Sequence, residues 1–256
     1  MKTIGILGGL GPEATSDLFR RIIDITPAKI DQEHIPVIIY NNPKIPDRTK
    51  HILYGGESPV DSMKFTARAL ENAGADFIIM PCNTAHYFAK KVQAHIGIPI
   101  INMIEETAEF IKSNYPDVKN VGILATSGTL ASNLYEDALR KRKINLITPD
   151  FEVQNKLVMA AIYGEEGIKA GYKDVPRQML ESVAEDLIDK GADLIILGCT
   201  EVSLVLDQKR VPYVLIDAMQ VLAEVSVKKA LKYSSKEAVK LSTKDILREM
   251  NVNQEK

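Results

Sequence analysis

Cys82 and Cys199 are the only cysteines in a chain of 256 residues, and each directly follows a short apolar run of the kind that forms a buried strand. Open parallel sheets place their ligands in the crevice beyond the carboxyl ends of the strands, so both thiols stand where chemistry is done. The two runs are copies of one another: Gly74-Ala75-Asp76-Phe77-Ile78-Ile79-Met80-Pro81-Cys82 recurs as Gly191-Ala192-Asp193-Leu194-Ile195-Ile196-Leu197-Gly198-Cys199. The same offset carries Ile4-Gly5-Ile6-Leu7 onto Val121-Gly122-Ile123-Leu124. Two distant segments sharing one offset indicate a duplication, with halves of about 110 residues each. Halves facing each other about a pseudo-twofold axis would present both thiols to one cleft, where two acids or bases flank one substrate. Asn83 and Thr84 follow the first cysteine and Thr200 and Glu201 the second, and both pairs read as helix openings. Helix N-termini lower thiol pKa values and offer backbone NH groups to an anion.

Plainer roles for these residues compete with that reading. A lone strand-end cysteine is more often a core filler, and its repetition at equivalent places is what argues otherwise. Cys82 and His86 lie four apart, but there is no CxxC and His34, His51 and His95 show no ligand spacing, so no metal is expected. A disulfide is not expected either, since two cysteines in a chain of this length make no disulfide framework.

The elements that position these residues alternate from end to end. Apolar, β-branched runs at Thr3 to Leu7, Pro36 to Tyr40, Asp76 to Met80, Pro99 to Ile101, Asn120 to Leu124, Ile144 to Ile147, Asp193 to Leu197 and Pro212 to Ile216 are separated by amphipathic stretches. Such alternation predicts α/β architecture, here two similar domains, each a parallel sheet flanked by helices, with the active site in the cleft between them. Residues 1–101 plus 213–233 are expected to form the first domain, with the last strand and helix returning to complete it. Residues 102–212 would form the second, and 234–256 an appendage with a capping-box helix from Ser242.

Gly9-Leu10-Gly11-Pro12-Glu13-Ala14 matches a dinucleotide-binding turn, which raises an NAD-dependent oxidoreductase as the competing class. The second strand, however, ends Tyr40-Asn41-Asn42 rather than in the acid that holds a ribose, and the equivalent loop, Ala125-Thr126-Ser127-Gly128-Thr129, replaces glycines with hydroxyls. A tight turn with an anion site fits both loops better.

Composition narrows the partners. The chain is 45% hydrophobic and 26% charged, with 32 basic against 34 acidic residues and a net charge of −2, so neither nucleic acid nor an anionic membrane is expected. No apolar run approaches the roughly 18 residues of a membrane span, and the first residues lack a signal-peptide pattern, which predicts a cytoplasmic protein.

Four motifs together resemble the aspartate/glutamate racemase superfamily, and within it the cofactor-independent aspartate racemases. They are Gly8-Gly9-Leu10-Gly11-Pro12, Asn41-Asn42-Pro43 through Pro46-Asp47-Arg48-Thr49, Met80-Pro81-Cys82-Asn83-Thr84-Ala85-His86, and Gly198-Cys199-Thr200-Glu201. The resemblance covers Met1 to about Tyr233. It implies no organic cofactor, a homodimer, and one cysteine on each face of a substrate α-carbon, one thiolate removing the proton while the opposite thiol delivers another. It further implies that Arg48 and Lys169 hold carboxylates with Tyr163 beside them, and that Asn83, Thr84, Thr126, Thr129 and Thr200 supply hydroxyl, amide and backbone contacts. Two cations in one cleft suit a dicarboxylic amino acid. Aspartate is expected on the resemblance, with glutamate or broad-specificity racemisation, and non-catalytic dicarboxylate binding, as the alternatives. Decarboxylases and maleate isomerases share the fold, but protonation of a single face could dispense with one cysteine.

Overall fold

The computed structural model describes residues 1–231. The expected appendage at 234–256 lies outside the described residues. Seven of the eight apolar runs form strands, in two parallel sheets. The first sheet contains β1 (Ile4–Gly8), β2 (Val37–Asn41) and β3 (Phe77–Ile79) in the order β2-β1-β3. The second contains β4 (Asn120–Leu124), β5 (Asn145–Ile147), β6 (Leu194–Leu197) and β7 (Leu215–Asp217) in the order β5-β4-β6-β7. The eighth run, Pro99 to Ile101, contributes a single parallel bridge between Ile78 and Ile100. The inner strands β1 and β4 and their neighbours β3 and β6 are almost wholly buried, as strands covered on both faces must be.

Helices cover the sheets: α1 (Pro12–Ile25), α2 (Arg48–Tyr54), α3 (Val60–Asn72), α4 (Ala89–Gln93) and α5 (Met103–Asn114) in the first part of the chain. In the second come α6 (Ser127–Ala131), α7 (Leu134–Arg140), α8 (Phe151–Val153), which runs through a π-helical stretch (Gln154–Met159) into α9 (Ala160–Tyr163), then α10 (Asp174–Asp189) and α11 (Ala218–Leu231). Local chemistry explains their starts. Pro12 occupies the first position of α1, where a missing NH costs nothing, and Ala14, Leu18 and Ile22 repeat every four residues to form its buried stripe. Asn102 caps α5 by accepting from the NH groups of Ile104 and Glu105, and Asp47 caps α2 by accepting from Lys50.

One expectation about the chain path is corrected. Pro212 to Ile216 does not cross to the first sheet: β7 pairs with β6, Ile195 opposite Leu215 and Leu197 opposite Asp217. The repeat supplies the reason, because β7 is the second copy of the run containing Ile100, which takes the equivalent place beside β3. Only the helix crosses. Met219, Leu222, Ala223 and Val227 of α11 pack with Ile4, Ile6 and Leu18, while Ile104, Ala108 and Ile111 of α5 pack with Val121 and Ile123. Each half thus lends its last helix to the other half's sheet. Each of the Leu, Ile, Met and Val side chains among these contributes about 1.5–3 kcal/mol on burial, so the exchange ties the halves together through their cores.

Candidate active site

Each sulfur reaches the site because a buried strand stops and the chain turns within a few residues. Beyond β3 the chain makes a tight turn in which the Cys82 NH donates to the Met80 carbonyl at 2.8 Å, and beyond β6 Gly198 leads into Cys199. The expected helix openings begin as 3₁₀ segments: Thr84–Phe88 runs directly into α4, while Val202–Leu204 is a single turn. A single turn sums few peptide dipoles, so the anion-attracting helix end anticipated beside Cys199 is corrected to a weak one. Neither Thr84 nor Thr200 acts as a helix cap. Thr126 does, its hydroxyl accepting from the NH of Thr129 at the start of α6.

Cys82 and Cys199 line one cavity. Arg48, Asn83, Thr84, Thr126, Tyr163, Lys169 and Thr200 line it with them, joined by Leu10, Thr49 and Glu201. The two sulfurs are buried, and the enclosed space is small, about 10 Å³, so the halves meet closely around it. Gly128 permits that approach: a Cβ there would fall 2.7 Å from Thr49 Oγ1 and 2.9 Å from its Cα. The Thr200 hydroxyl also crosses between halves, its single proton shared between the Pro81 carbonyl at 3.4 Å and the nearer Glu201 carboxylate.

The Cys82 side is built around Arg48. Its guanidinium donates to the carbonyls of Leu10 at 2.8 Å, Pro46 at 3.1 Å and Ile45 at 3.3 Å, while its buried Nε has no partner. Burial alone would lower its pKa, but Cys82, Tyr163 and Asp47 favour the charged form and the net shift is upward. Asn83 receives the Tyr135 hydroxyl on Oδ1 at 2.7 Å and leaves its buried Nδ2 unpartnered. Two orphaned donors in residues lining one cavity are what an acceptor-rich ligand would satisfy. Behind Cys82, His86 uses both ring nitrogens on the backbone: Nε2 accepts from the Met103 NH at 3.1 Å, which makes Nδ1 the donor to the Cys82 carbonyl at 2.9 Å. Burial lowers its pKa, so it stands as a neutral structural ring.

The Cys199 side is built around a carboxylate. Glu201 forms an ion pair through Oε1 with the Lys169 ammonium and accepts through Oε2 from Cys199 Sγ at 3.1 Å and from the Thr200 hydroxyl at 3.2 Å. Burial pushes the Cys199 thiol well up, the Glu201 charge adds to that, and Lys169 opposes it. Burial also pushes Glu201 up, but Lys169 and the thiol hydrogen bond outweigh it and hold the carboxyl below its ordinary range. The Lys169 ammonium also sits 5.4 Å from the centre of the Tyr163 ring.

Two expectations change here. Lys169, expected to face substrate as a free cation, already has a carboxylate partner, so the cavity carries one net positive charge from Arg48, Lys169 and Glu201 rather than two. Thr129 does not line the cavity. It stands one layer behind, its hydroxyl bonded to those of Thr84 at 2.8 Å and Thr126 at 3.1 Å. Sequence reasoning missed Glu201 as a site residue, although the repeat offset sets it opposite Thr84 and so marks a carboxylate where the other half has a hydroxyl. The glycine loop serves its own turn: Gly9 adopts φ +87°, and a Cβ there would fall 2.2 Å from the Asn42 carbonyl carbon. With Asn42 against Gly9 and Arg48 bonded to the Leu10 carbonyl, the loop is filled by protein where a pyrophosphate would need it open.

Known proteins share this arrangement of elements. A family model described as Asp/Glu/Hydantoin racemase matches residues 7–225. The broad specificity amino-acid racemase of Bacillus subtilis is 31% identical over 244 residues, 91% of this chain and 100% of that one. The structure of Picrophilus torridus aspartate racemase matches with a TM-score of 0.80 at 33% identity, covering 94% of this chain and 99% of that one. An aspartate racemase homologue from Pyrococcus horikoshii matches with a TM-score of 0.71 at 26% identity over 90% of this chain and 99% of that one.

Proposed function

This chain belongs to the Asp/Glu/hydantoin racemase family, and from that premise we propose that it racemises aspartate, without a cofactor, by a two-base mechanism in which Cys82 and Cys199 work on opposite faces of the α-carbon. The observation that carries the proposal is the placement of both sulfurs against one cavity from equivalent strand ends. A single base cannot reach both faces of a planar carbanion. Two opposed sulfurs can: a thiolate breaks the α C–H bond, the electron pair remains on carbon conjugated with the α-carboxylate, and the thiol across the cavity protonates the other face.

Arg48 is the anchor for one carboxylate. Its fork is fixed by three carbonyls, and Nε, together with Asn83 Nδ2, is left to donate to a ligand. Lys169 serves the second carboxylate, for which that carboxylate must compete with Glu201. A cavity of one net positive charge suits an amino acid carrying two carboxylates and one ammonium. Tyr163, Thr84, Thr126 and Thr200 complete the walls, with Thr129 supporting the hydroxyls. A space of about 10 Å³ does not admit an amino acid, so the halves separate around the Thr49–Gly128 contact as substrate enters.

Aspartate is preferred because the Picrophilus torridus relative is named an aspartate racemase and the Pyrococcus horikoshii one is described as an aspartate racemase homologue. The Bacillus subtilis relative favours a second reading, broad-specificity racemisation on the same two sulfurs. Chiral chromatography after incubation with aspartate, glutamate, asparagine, alanine and serine separates the two. Aspartate is expected to turn over fastest, and alanine or serine interconverting as fast would remove the role given to the second cation. A homodimer is part of the same proposal, checked by sedimentation, where a lone 28.4 kDa species would overturn it.

A further inference from the structure

We propose that Glu201 is a positioning residue for Cys199: the thiol and the carboxylate share one proton, and Lys169 decides which of the two atoms carries it. The inference rests on the two-base reading above and concerns how one of the two bases is armed. The geometry is a chain of three groups inside the cavity. Lys169 Nζ pairs with Glu201 Oε1, and Glu201 Oε2 accepts from Cys199 Sγ at 3.1 Å. Thr200 donates to the same Oε2 at 3.2 Å, so the carboxylate is turned toward the sulfur from both sides. Tyr163 from α9, Arg48 from α2 and Cys82 across the cavity are the other titratable or charged groups facing this cluster.

With Lys169 on Oε1, negative charge is favoured on the carboxylate and the proton stays on sulfur. Cys199 is then an acid. When a substrate carboxylate draws the ammonium away, Glu201 loses its countercharge while remaining buried, and the balance moves toward the protonated carboxyl. The S–H bond breaks, an O–H bond forms at Oε2, and the charge passes from oxygen to sulfur with no change in the net charge of the pair. Cys199 is then a thiolate, ready to take the α-proton. Substrate binding and activation of the base are thereby linked through one lysine. Because the two groups are coupled, the observed midpoint belongs to the pair rather than to either atom.

The test uses the full chain carrying Cys82→Ser, which leaves one cysteine, labelled with ¹³C at Cβ and followed by NMR across pH. Glu201→Gln removes the neighbouring charge and should lower the Cys199 midpoint by about one pH unit or more. Lys169→Met makes the withdrawal of the ammonium permanent and should leave the shared proton on Glu201, so that Cys199 reports as thiolate at a lower pH than in the parent. In the double variant Glu201→Gln with Lys169→Met no carboxylate can take the proton, and loss of the cation should raise the midpoint above that of Glu201→Gln alone. A loosened fold would lower the midpoint in every variant, so this rise distinguishes the proposed coupling from structural damage. An unmoved midpoint in Glu201→Gln, a raised one in Lys169→Met, or no rise in the double variant overturns the proposal. In turnover, Glu201→Gln with both cysteines present should enlarge the primary deuterium isotope effect for the enantiomer whose proton Cys199 takes, and not for its mirror image. An equal change for both enantiomers also overturns it. Absence of any racemisation would instead sink the two-base reading, while the titration would still decide whether Glu201 and Lys169 govern Cys199.

Discussion

Cys82 and Cys199 end equivalent strands of equivalent sheets, yet they meet opposite charges. Beside the first is the Arg48 guanidinium, held by three backbone carbonyls; against the second is the Glu201 carboxylate, held by Lys169. The difference falls at corresponding positions, for the residue two places after the cysteine is Thr84 in one half and Glu201 in the other. The two halves keep the place of the sulfur and differ in what surrounds it. Divergence has a use: a two-base reaction needs one sulfur with a proton and one without at the same moment, and two identical environments would not choose between them.

Breaking either side should be most costly at the sulfurs. Cys82→Ser and Cys199→Ser should each fold normally, by circular dichroism, and lose interconversion by about 10²–10⁴-fold or more, because serine is far too weak a base. Near wild-type turnover in either variant would break the symmetry between the halves that the proposal assumes. The cations come next. Arg48→Ala and Lys169→Ala should each cost roughly 2–5 kcal/mol in kcat/KM for aspartate, more than tenfold. They should differ in stability as well. Losing Arg48 leaves the carbonyls of Leu10, Ile45 and Pro46 without their donor, whereas losing Lys169 leaves a buried carboxylate unpaired, and urea denaturation of both variants measures each cost.

A smaller effect is expected where the halves touch. Gly128→Ala places a methyl group against the Thr49 backbone and should cost about 1–3 kcal/mol of stability by overpacking, while also wedging the cleft. Thermal unfolding and KM report the two consequences separately. The pH dependence of stability sharpens the contrast further. The Glu201 carboxyl is held below its ordinary range in the fold, so its pairing contributes stability above the unfolded carboxyl value, near pH 4.3, and that contribution is lost as pH falls through the folded value. Glu201→Gln should flatten the acid limb of a stability-versus-pH curve measured by urea unfolding. An unchanged acid limb would mean that the ion pair with Lys169 adds nothing to the folded state.

Much of this was legible in the residues. The repeat located both cysteines, and β-branched runs located the strands, because a strand buried on both faces has to be apolar throughout. The crossing of β7 was misjudged because strand and helix were treated as one returning unit, whereas pairing holds a strand to its neighbour and a helix is free to pack elsewhere. The Asn-Thr pair after Cys82 does open helical structure that continues into α4, whereas the Thr-Glu pair after Cys199 opens only a 3₁₀ turn, which such a pair serves equally well. Glu201 escaped because its neighbours in sequence suggested a cap, and only the folded chain brings Lys169, 32 positions away, onto its carboxylate. Thr129 fell one layer back for a related reason: spacing locates a loop but does not say which of its hydroxyls faces the cavity.

The most direct measurement incubates the enzyme with unlabelled L-aspartate in deuterated water and follows the α-position of both enantiomers at early times by NMR and chiral mass analysis. With two opposed sulfurs, the D-aspartate formed should carry solvent deuterium while the remaining L-aspartate keeps its protium. D-aspartate retaining the original protium, or deuterium entering both enantiomers at the same initial rate, would mean that one base serves both faces and would contradict the account.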